Sequence, residues 1–203
     1  MNYPAELGDL AGYVLAALAL CGSPGPATLA LAATGAAFRL RSTWPFYLGL
    51  LSGVIIVLSL VASGLIAAVA TLPWAAVVLT TIAVCYMGWL AWKIANAPPI
   101  RQPGSDDEAP GYITGLVLNL TNPKAYASFT AVFASFDLVP GQPVMSGTIE
   151  VAILFTLISG INLTWLFAGN FLQRFFQDER TSRIINVSFA VLLLVSVAMA
   201  FLI

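Results

Sequence analysis

Residues 18–35 read LALCGSPGPATLALAATG, an apolar run that two prolines and two glycines interrupt near its middle. The flanking residues are apolar enough to lie in a membrane, where no water satisfies the backbone groups that a broken helix leaves free. Proline lacks a backbone N–H and disfavours helical geometry in the residue before it. The stretch therefore predicts a helix that is broken inside a membrane.

The composition of the whole chain is that of an integral membrane protein. Of its 203 residues, 60% are hydrophobic and 8% are charged, whereas a soluble domain has roughly 25% charged residues. The mean hydropathy is +0.93. Six apolar runs are close to or longer than the ~20 residues that cross a hydrocarbon core, and none alternates with the two-residue period of a membrane strand. The sequence predicts an all-α protein with six transmembrane helices, spans 1 to 6: Leu10 to Phe38, Trp44 to Ala70, Trp74 to Ile94, Tyr112 to Phe136, Met145 to Phe171 and Ile184 to Ile203.

The positive charges predict the orientation of these spans. Seven of the eight Lys and Arg residues fall at the end of span 3 or after spans 1, 3 and 5, on one face of the membrane. They are Arg39, Arg41, Lys93, Arg101, Arg174, Arg180 and Arg183. By the positive-inside rule that face is cytoplasmic, so both termini lie outside. The eighth, Lys124, lies within span 4, near mid-depth.

Neither a metal site nor a cofactor is predicted. The sequence has no histidine, and the spans hold no Cys or carboxylate pair at ligand spacing. Cys21 and Cys85 both lie in apolar spans, where cysteine usually packs as a small hydrophobe. Although LALC ending at Cys21 resembles a lipoprotein cleavage box, no Lys or Arg precedes it. A secretory signal needs such a basic region, so we expect span 1 to be retained.

One linker, NAPPIRQPGSDDEAPG over residues 96–111, divides the chain into two halves. Residues 1–95 form a first three-helix repeat, residues 96–111 a cytoplasmic linker, and residues 112–203 a second three-helix repeat. Because each half crosses the membrane an odd number of times, the second half is inverted relative to the first. A shift of 99 residues places Pro24 opposite Pro123, although identity around that pairing is low.

Span 4 is interrupted as well, within NLTNPKAYASF over residues 119–129. Ser23 precedes Pro24 and Asn122 precedes Pro123; Ser and Asn are preferred N-caps, and proline is preferred as the first residue of a helix. Each motif therefore predicts the start of a half-helix near the midplane of the membrane. Two such positive dipole ends facing each other are suited to a small anion such as a carboxylate.

Lys124 directly follows the second proline motif. An ammonium group inside a span is unfavourable by several kcal/mol, and such residues usually face the protein interior or a watery path. The alternative is a lysine that reaches the cytoplasmic surface or caps carbonyl groups. Asn119, Asn122 and Tyr126 surround it at helical spacing and supply hydrogen-bond donors and acceptors.

These motifs resemble the LysE/RhtB family of amino-acid exporters. The resemblance rests on SPGP in span 1, GLVLNLTNPKAYASF in span 4, YMGWLAWK closing span 3 and the length of the chain, and it covers essentially the whole sequence. The first-helix motif of the family continues with Asn after Pro-Gly-Pro, whereas this chain has Ala27. The resemblance implies export of amino acids or close derivatives across the bacterial inner membrane, driven by the proton gradient, with no enzymatic activity.

The candidate substrate site lies between the two broken helices. A cationic substrate favours a carboxylate within the spans, and none lies at mid-depth, so we expect a neutral amino acid or an amino-acid-like metabolite. Gly25 permits a close approach between the backbone and the substrate. Asn162 either binds the substrate or forms a hydrogen bond between helices. The candidate substrate-binding residues are Ser23, Pro24, Gly25, Pro26, Ala27, Asn119, Asn122, Pro123, Lys124, Tyr126 and Asn162.

With no histidine present, the candidate proton carriers are Asp9, Asp137, Glu150 and Lys124. The three carboxylates fall near the outer ends of their spans, where each is otherwise an ordinary interfacial charge. The patterns GLLSG at residues 49–53 and GYITG at residues 111–115 allow close helix approach. The close contact between helices either packs helices of one subunit together or joins two subunits in a homodimer. The expected partners are thus an amino acid, protons and the lipid bilayer, with a second subunit if the glycine patterns serve a homodimer, and no nucleic acid.

Two other functions remain open. A membrane thiol-disulfide electron carrier needs two cysteines that can meet, and here Cys21 adjoins the first break while the second break has none. On that hypothesis, replacing both cysteines abolishes activity. A membrane scaffold that transports nothing is unaffected by replacing Lys124 or Asn122, as long as the protein is inserted.

Overall fold

The computed structural model describes residues 7–64, 73–96, 109–172, 180, 183–184, 187–192 and 194–195. These residues form seven named α-helices and no β-strand, which confirms the all-α class. In chain order the helices are α1 (Leu7–Gly22), α2 (Pro26–Ala37), α3 (Leu40–Ala62), α4 (Pro73–Ala95), α5 (Tyr112–Leu120), α6 (Pro123–Ser135) and α7 (Pro143–Leu172). Short helical stretches also lie between residues 183 and 195.

Two helices are long and apolar enough to cross a membrane alone: α3, with a mean hydropathy of 2.2, and α7, with 2.0 over Pro143–Phe171. Helices α1 and α2 together form a third candidate, bent by 61° between Gly22 and Pro26. The described residues thus contain two or three candidate spans, and the six-span arrangement stays a prediction. Most of the predicted linker and much of span 6 lie outside the described residues.

The predicted start of span 2 is wrong. Helix α3 begins at Leu40 rather than Trp44, because Arg41, Ser42 and Thr43 form a polar first helical turn that a search for apolar residues misses. The helix ends at Ala62, and the predicted end of span 2, Ala70, lies outside the described residues. Gly64 has a φ of 72°, a left-handed conformation that ends a helix.

The predicted start of the half-helix after the first break is also wrong. Helix α2 begins at Pro26, with Gly25 as its N-cap, rather than at Pro24 with Ser23 as the cap. The Ser23 hydroxyl instead donates to the Leu20 carbonyl at 3.1 Å, so it bonds the last turn of α1. The prediction at the second break is confirmed, because α6 begins at Pro123 with Asn122 as its N-cap.

Glycines bring two pairs of helices into close contact. Helix α2 packs against α7, where a Cβ added to Gly169 would overlap the carbonyl of Ala32. Helix α3 packs against α5, where a Cβ added to Gly49 would overlap the carbonyl of Tyr112, and one added to Gly115 would overlap that of Phe46. The patterns GLLSG and GYITG therefore pack against each other within the subunit.

The buried apolar residues form two clusters. One cluster joins residues that follow the first break to residues that precede the second; it includes Leu31, Leu50, Leu118 and Leu166. The other joins α1 to α6; it includes Tyr13, Leu58, Phe129 and Leu154. Helices α3 and α7 run through both clusters. Each break therefore separates two helices that belong to different clusters: α1 and α6 to one, α2 and α5 to the other.

Candidate functional site

A cavity of about 40 Å³ lies between the two breaks, with room for about two or three water molecules. We call residues 23–25 the first break and residues 121–122 the second break. Six of the eleven predicted binding residues line the cavity: Gly25, Ala27, Asn119, Asn122, Lys124 and Asn162. The cavity therefore unites residues of α1, α2, α5, α6 and α7, which the chain places far apart.

Lys124 connects the second break to the first. Its Nζ donates to the carbonyl of Ser23, to the Ser23 hydroxyl at 2.8 Å and to the Pro24 carbonyl at 3.3 Å. The side chain crosses Gly25, where an added Cβ would lie 2.6 Å from Lys124 Cδ. In this structure Lys124 thus caps carbonyl groups, which was the alternative to a direct substrate contact.

The N–H groups at the two half-helix starts are in part occupied by the chain itself. The Gly25 N–H donates to Thr28 Oγ1 at 2.9 Å, and the Thr28 hydroxyl donates to the Gly25 carbonyl at 3.0 Å. At the second break, Asn122 Oδ1 accepts the Lys124 N–H at 3.2 Å. A bound anion therefore needs donors in addition to these N–H groups.

Two amide groups in the cavity supply such donors. Asn119 and Asn162 are each 2% exposed, and the Nδ2 atom of each has no hydrogen-bond partner. Leaving a buried donor unpaired costs roughly 1–3 kcal/mol. Since both residues line the same cavity, the structure presents two unpaired donors to whatever occupies it.

The other five predicted residues do not line the cavity. Ser23 and Pro24 are exposed and face Lys124 through their oxygen atoms, while Pro26 and Pro123 begin the half-helices. The Tyr126 hydroxyl donates to the Leu120 carbonyl at 2.9 Å. Tyr126 therefore satisfies the carbonyl group of the last residue of α5.

The sequence reasoning missed two polar residues of the cavity, Thr28 and Ser128. Ser128 lies four residues after Lys124, so helical spacing could have identified it. Thr28 lies three residues after Gly25, but the wrong start predicted for α2 concealed its role.

The predicted proton carriers differ in their surroundings. Asp9 and Asp137 are exposed, whereas Glu150 is 3% exposed. Glu150 Oε1 accepts the Ser146 hydroxyl at 2.7 Å and the Leu138 N–H at 3.3 Å. The backbone carbonyl of the same residue accepts the Tyr13 hydroxyl at 2.8 Å. Glu150 is therefore a buried carboxyl group held by neutral donors.

The two cysteines are both free. Cys21 lines the cavity, whereas Cys85 lies on an exposed face of α4. Within the part of the chain that the structure describes, no group of three or more His, Cys, Asp or Glu residues could hold a metal ion.

Comparison with known proteins identifies a family. The sequence profile described as "LysE type translocator" matches residues 18–203. Relatives described as "Cysteine/O-acetylserine efflux protein" occur in Escherichia coli O1:K1 / APEC, Escherichia coli strain K12 and Shigella flexneri serotype 5b. Each is 27% identical over 173 residues, which cover 84% of this chain and 86% of the relative. No solved structure matches the chain.

Proposed function

This chain belongs to the LysE type translocator family, and from that membership we propose that it is a secondary transporter that exports a neutral amino acid or an amino-acid-like metabolite from the cytoplasm. The observation that carries the proposal is the cavity between the two breaks. It combines an ammonium, Lys124, with the unpaired amides of Asn119 and Asn162. These are the groups that a carboxylate needs as partners.

The proposed substrate is small and uncharged overall. Among the described residues that line the cavity there is no carboxylate, so a second positive charge on the substrate finds no counter-ion there. Ser128 also lines the cavity, and its hydroxyl suits a substrate with a short polar side chain. The names of the relatives point in the same direction, so serine, cysteine and O-acetylserine are the first candidates.

The proposed mechanism is alternating access by two inverted halves, residues 1–95 and 112–203, each supplying three of six spans. The two broken helices that line the cavity, α1 with α2 and α5 with α6, come one from each half. In the proposed orientation, α2 and α5 lie on the cytoplasmic side of the breaks. The close contacts of Gly169 with α2 and of Gly49 and Gly115 between α3 and α5 lie on that side, which favours a state closed to the cytoplasm.

The proposed location is the bacterial inner membrane, with both termini outside. Large apolar side chains project from α3, including Leu48, Ile55 and Ile56. Apolar side chains on such a face are suited to lipid contact. Since Gly49 and Gly115 pack within the subunit, a homodimer would need a different surface.

Glu150 is the proton carrier that we favour over Asp9, Asp137 and Lys124, because its carboxyl group is buried and bonded to neutral donors. A Glu150→Gln carrier should still exchange labelled for unlabelled substrate but should no longer respond to an imposed pH gradient. Asp137→Asn, at an exposed position, is the matched control. Gradient-driven efflux that survives in Glu150→Gln would remove this residue from the coupling.

The transport proposal is tested by efflux from proteoliposomes that are preloaded with labelled serine, cysteine, O-acetylserine, leucine or lysine. We expect efflux of the three small neutral compounds and little efflux of lysine. Preferred efflux of lysine would contradict the neutral substrate. No efflux of any compound would favour the scaffold.

The same preparation tests the thiol-disulfide electron carrier. A carrier in which both Cys21 and Cys85 are replaced by serine should keep its efflux, because neither thiol takes part in transport. Loss of activity from the double variant at unchanged membrane abundance would favour the redox function.

A further inference from the structure

The ammonium of Lys124 lies on a set of oxygen atoms that the first break supplies. These are the Ser23 carbonyl, the Ser23 hydroxyl and the Pro24 carbonyl. An ammonium group has three N–H donors and no acceptor, so the three oxygens satisfy it completely. The first break therefore contains an ammonium site, and a side chain from the other half of the protein occupies it.

The ammonium of lysine and the α-ammonium of an amino acid are the same chemical group. A bound amino acid needs acceptors for that group and positively polarised donors for its carboxylate. If Lys124 stayed in place, the acceptors of the first break would remain occupied. The carboxylate would then lack Lys124, the only cation among the described residues that line the cavity.

We propose that Lys124 is a tethered stand-in for the ammonium of the substrate. In the empty carrier Lys124 occupies the oxygens of Ser23 and Pro24. When an amino acid binds, its ammonium takes that place, and Lys124 turns to the carboxylate beside the amides of Asn119 and Asn162. This inference rests on the proposed function, because it assumes that the cavity binds an amino acid.

The local structure permits the exchange. The lysine side chain is flexible, and its stem crosses Gly25, where no Cβ restricts its movement. One ammonium lies on the carbonyl oxygens both before and after substrate binding, so these oxygens are satisfied in both states. The unpaired Nδ2 atoms of Asn119 and Asn162 are satisfied only when an acceptor arrives.

The exchange predicts that the two halves of an amino acid help each other to bind. Propionate should draw Lys124 away from the first break and so vacate the site for propylamine. By thermodynamic linkage, propylamine should strengthen propionate binding by the same factor. An amine alone must displace Lys124 without providing it with a new partner, which explains how a carrier could reject simple amines.

The test measures binding of propylamine and propionate to the purified full-length protein in lipid nanodiscs by calorimetry. In the wild type, saturating propionate should strengthen propylamine binding by about tenfold, the factor expected from one charge-assisted hydrogen bond. In Lys124→Met, propylamine alone should bind about tenfold more tightly than to the wild type, and propionate about tenfold more weakly. In this variant, propionate should no longer strengthen the binding of propylamine, nor propylamine that of propionate. Arg41→Gln, at an exposed position, is the control.

The contrary results are distinct. If Lys124→Met weakens propionate binding but leaves propylamine binding unchanged, Lys124 is a fixed carboxylate ligand and the stand-in is wrong. Independent binding of the two compounds to the wild type overturns the stand-in even if the variant does not fold. Serine efflux from proteoliposomes made with the same purified wild-type protein separates the two proposals: efflux without mutual strengthening of binding overturns the stand-in alone, and absence of both overturns the proposed function too.

Discussion

The two breaks satisfy their backbone groups in different ways. At the second break the nearby side chains are sufficient: Asn122 caps α6, the Thr121 hydroxyl bonds the Val117 carbonyl at 2.8 Å, and the Tyr126 hydroxyl bonds the Leu120 carbonyl at 2.9 Å. At the first break, the oxygens of Ser23 and Pro24 accept hydrogen bonds from Lys124, which lies in the first turn of α6.

This difference assigns different chemistry to the two breaks. The first break provides carbonyl oxygens, which suit a cation. The helix that follows the second break, α6, provides the cation, Lys124. Proline motifs that look equivalent in the sequence therefore form two unlike parts of one site. The pairing also joins the two halves of the chain, since Lys124 and Ser23 are 101 residues apart.

Removing Lys124 should have the largest effect on transport. Lys124→Met leaves the carbonyl oxygens of the first break without their cation and the substrate carboxylate without its partner. We expect a roughly hundredfold loss of efflux, since charge-assisted hydrogen bonds contribute about 1.5–3 kcal/mol each. Efflux from proteoliposomes at matched protein content measures this, with Arg41→Gln as control. Efflux close to the wild-type rate would show that the contact between the breaks is only structural.

Asn119→Ala should separate a binding role from a structural one. Because the Asn119 Nδ2 is unpaired, its removal should leave the melting temperature unchanged or raise it, while efflux falls about tenfold through loss of a hydrogen bond to a charged group. Asn162→Ala should behave in the same way. A variant that loses stability and keeps its efflux would mean that the amide supports the fold and does not bind substrate.

Gly25→Ala should disturb the first break only through Lys124. Gly25 has a φ of −163°, an extended conformation that alanine also adopts, but the new methyl group would lie 2.6 Å from Lys124 Cδ. The lysine stem must shift, so we expect efflux to fall by a few-fold, on the order of 1 kcal/mol. Gly147→Ala, where no atom lies within 4 Å of the added Cβ, is the control. Equal efflux from both variants would mean that the position of Lys124 does not matter.

Asn122→Ala should have the smallest effect on transport and act on stability. It removes the side-chain cap of α6, which typically contributes about 1 kcal/mol. The melting temperature in detergent should fall by a few degrees for a chain of this size, and Asn122→Asp should retain most of the stability because Asp is also a good cap. A fall in melting temperature of the same size in Asn122→Asp would argue that the amide acts in the cavity instead.

The sequence was sufficient for features that depend on local chemistry. The all-α class follows from the apolar runs. The start of α6 follows from Asn122 and Pro123, since one N-cap residue and one proline leave a single possible first residue for the helix. Two prolines lie at the first break, Pro24 within it and Pro26 directly after it, and each could begin a helix. The hydroxyl of Thr28 favours the second, because it bonds both backbone groups of Gly25.

Features that depend on contacts between distant residues could not be predicted. No local pattern shows that the Lys124 ammonium donates hydrogen bonds to Ser23 and Pro24 instead of pointing into the cavity. The burial of Glu150 likewise depends on Tyr13 and Leu138, which come from other elements. The glycine patterns indicated close helix approach, but only the structure shows that α3 and α5 are the two partners.

The central claim, that the cavity between the breaks is the substrate site, is most directly tested by chemical labelling of a native thiol. Cys21 lines the cavity and Cys85 lies on an exposed face of α4. The variants Cys85→Ser and Cys21→Ser each leave one thiol to be labelled with N-ethylmaleimide. We predict that serine or O-acetylserine, at concentrations that saturate efflux, slows the labelling of Cys21 and leaves that of Cys85 unchanged. Unchanged labelling of Cys21 by a carrier that is exporting the same compound would contradict the claim.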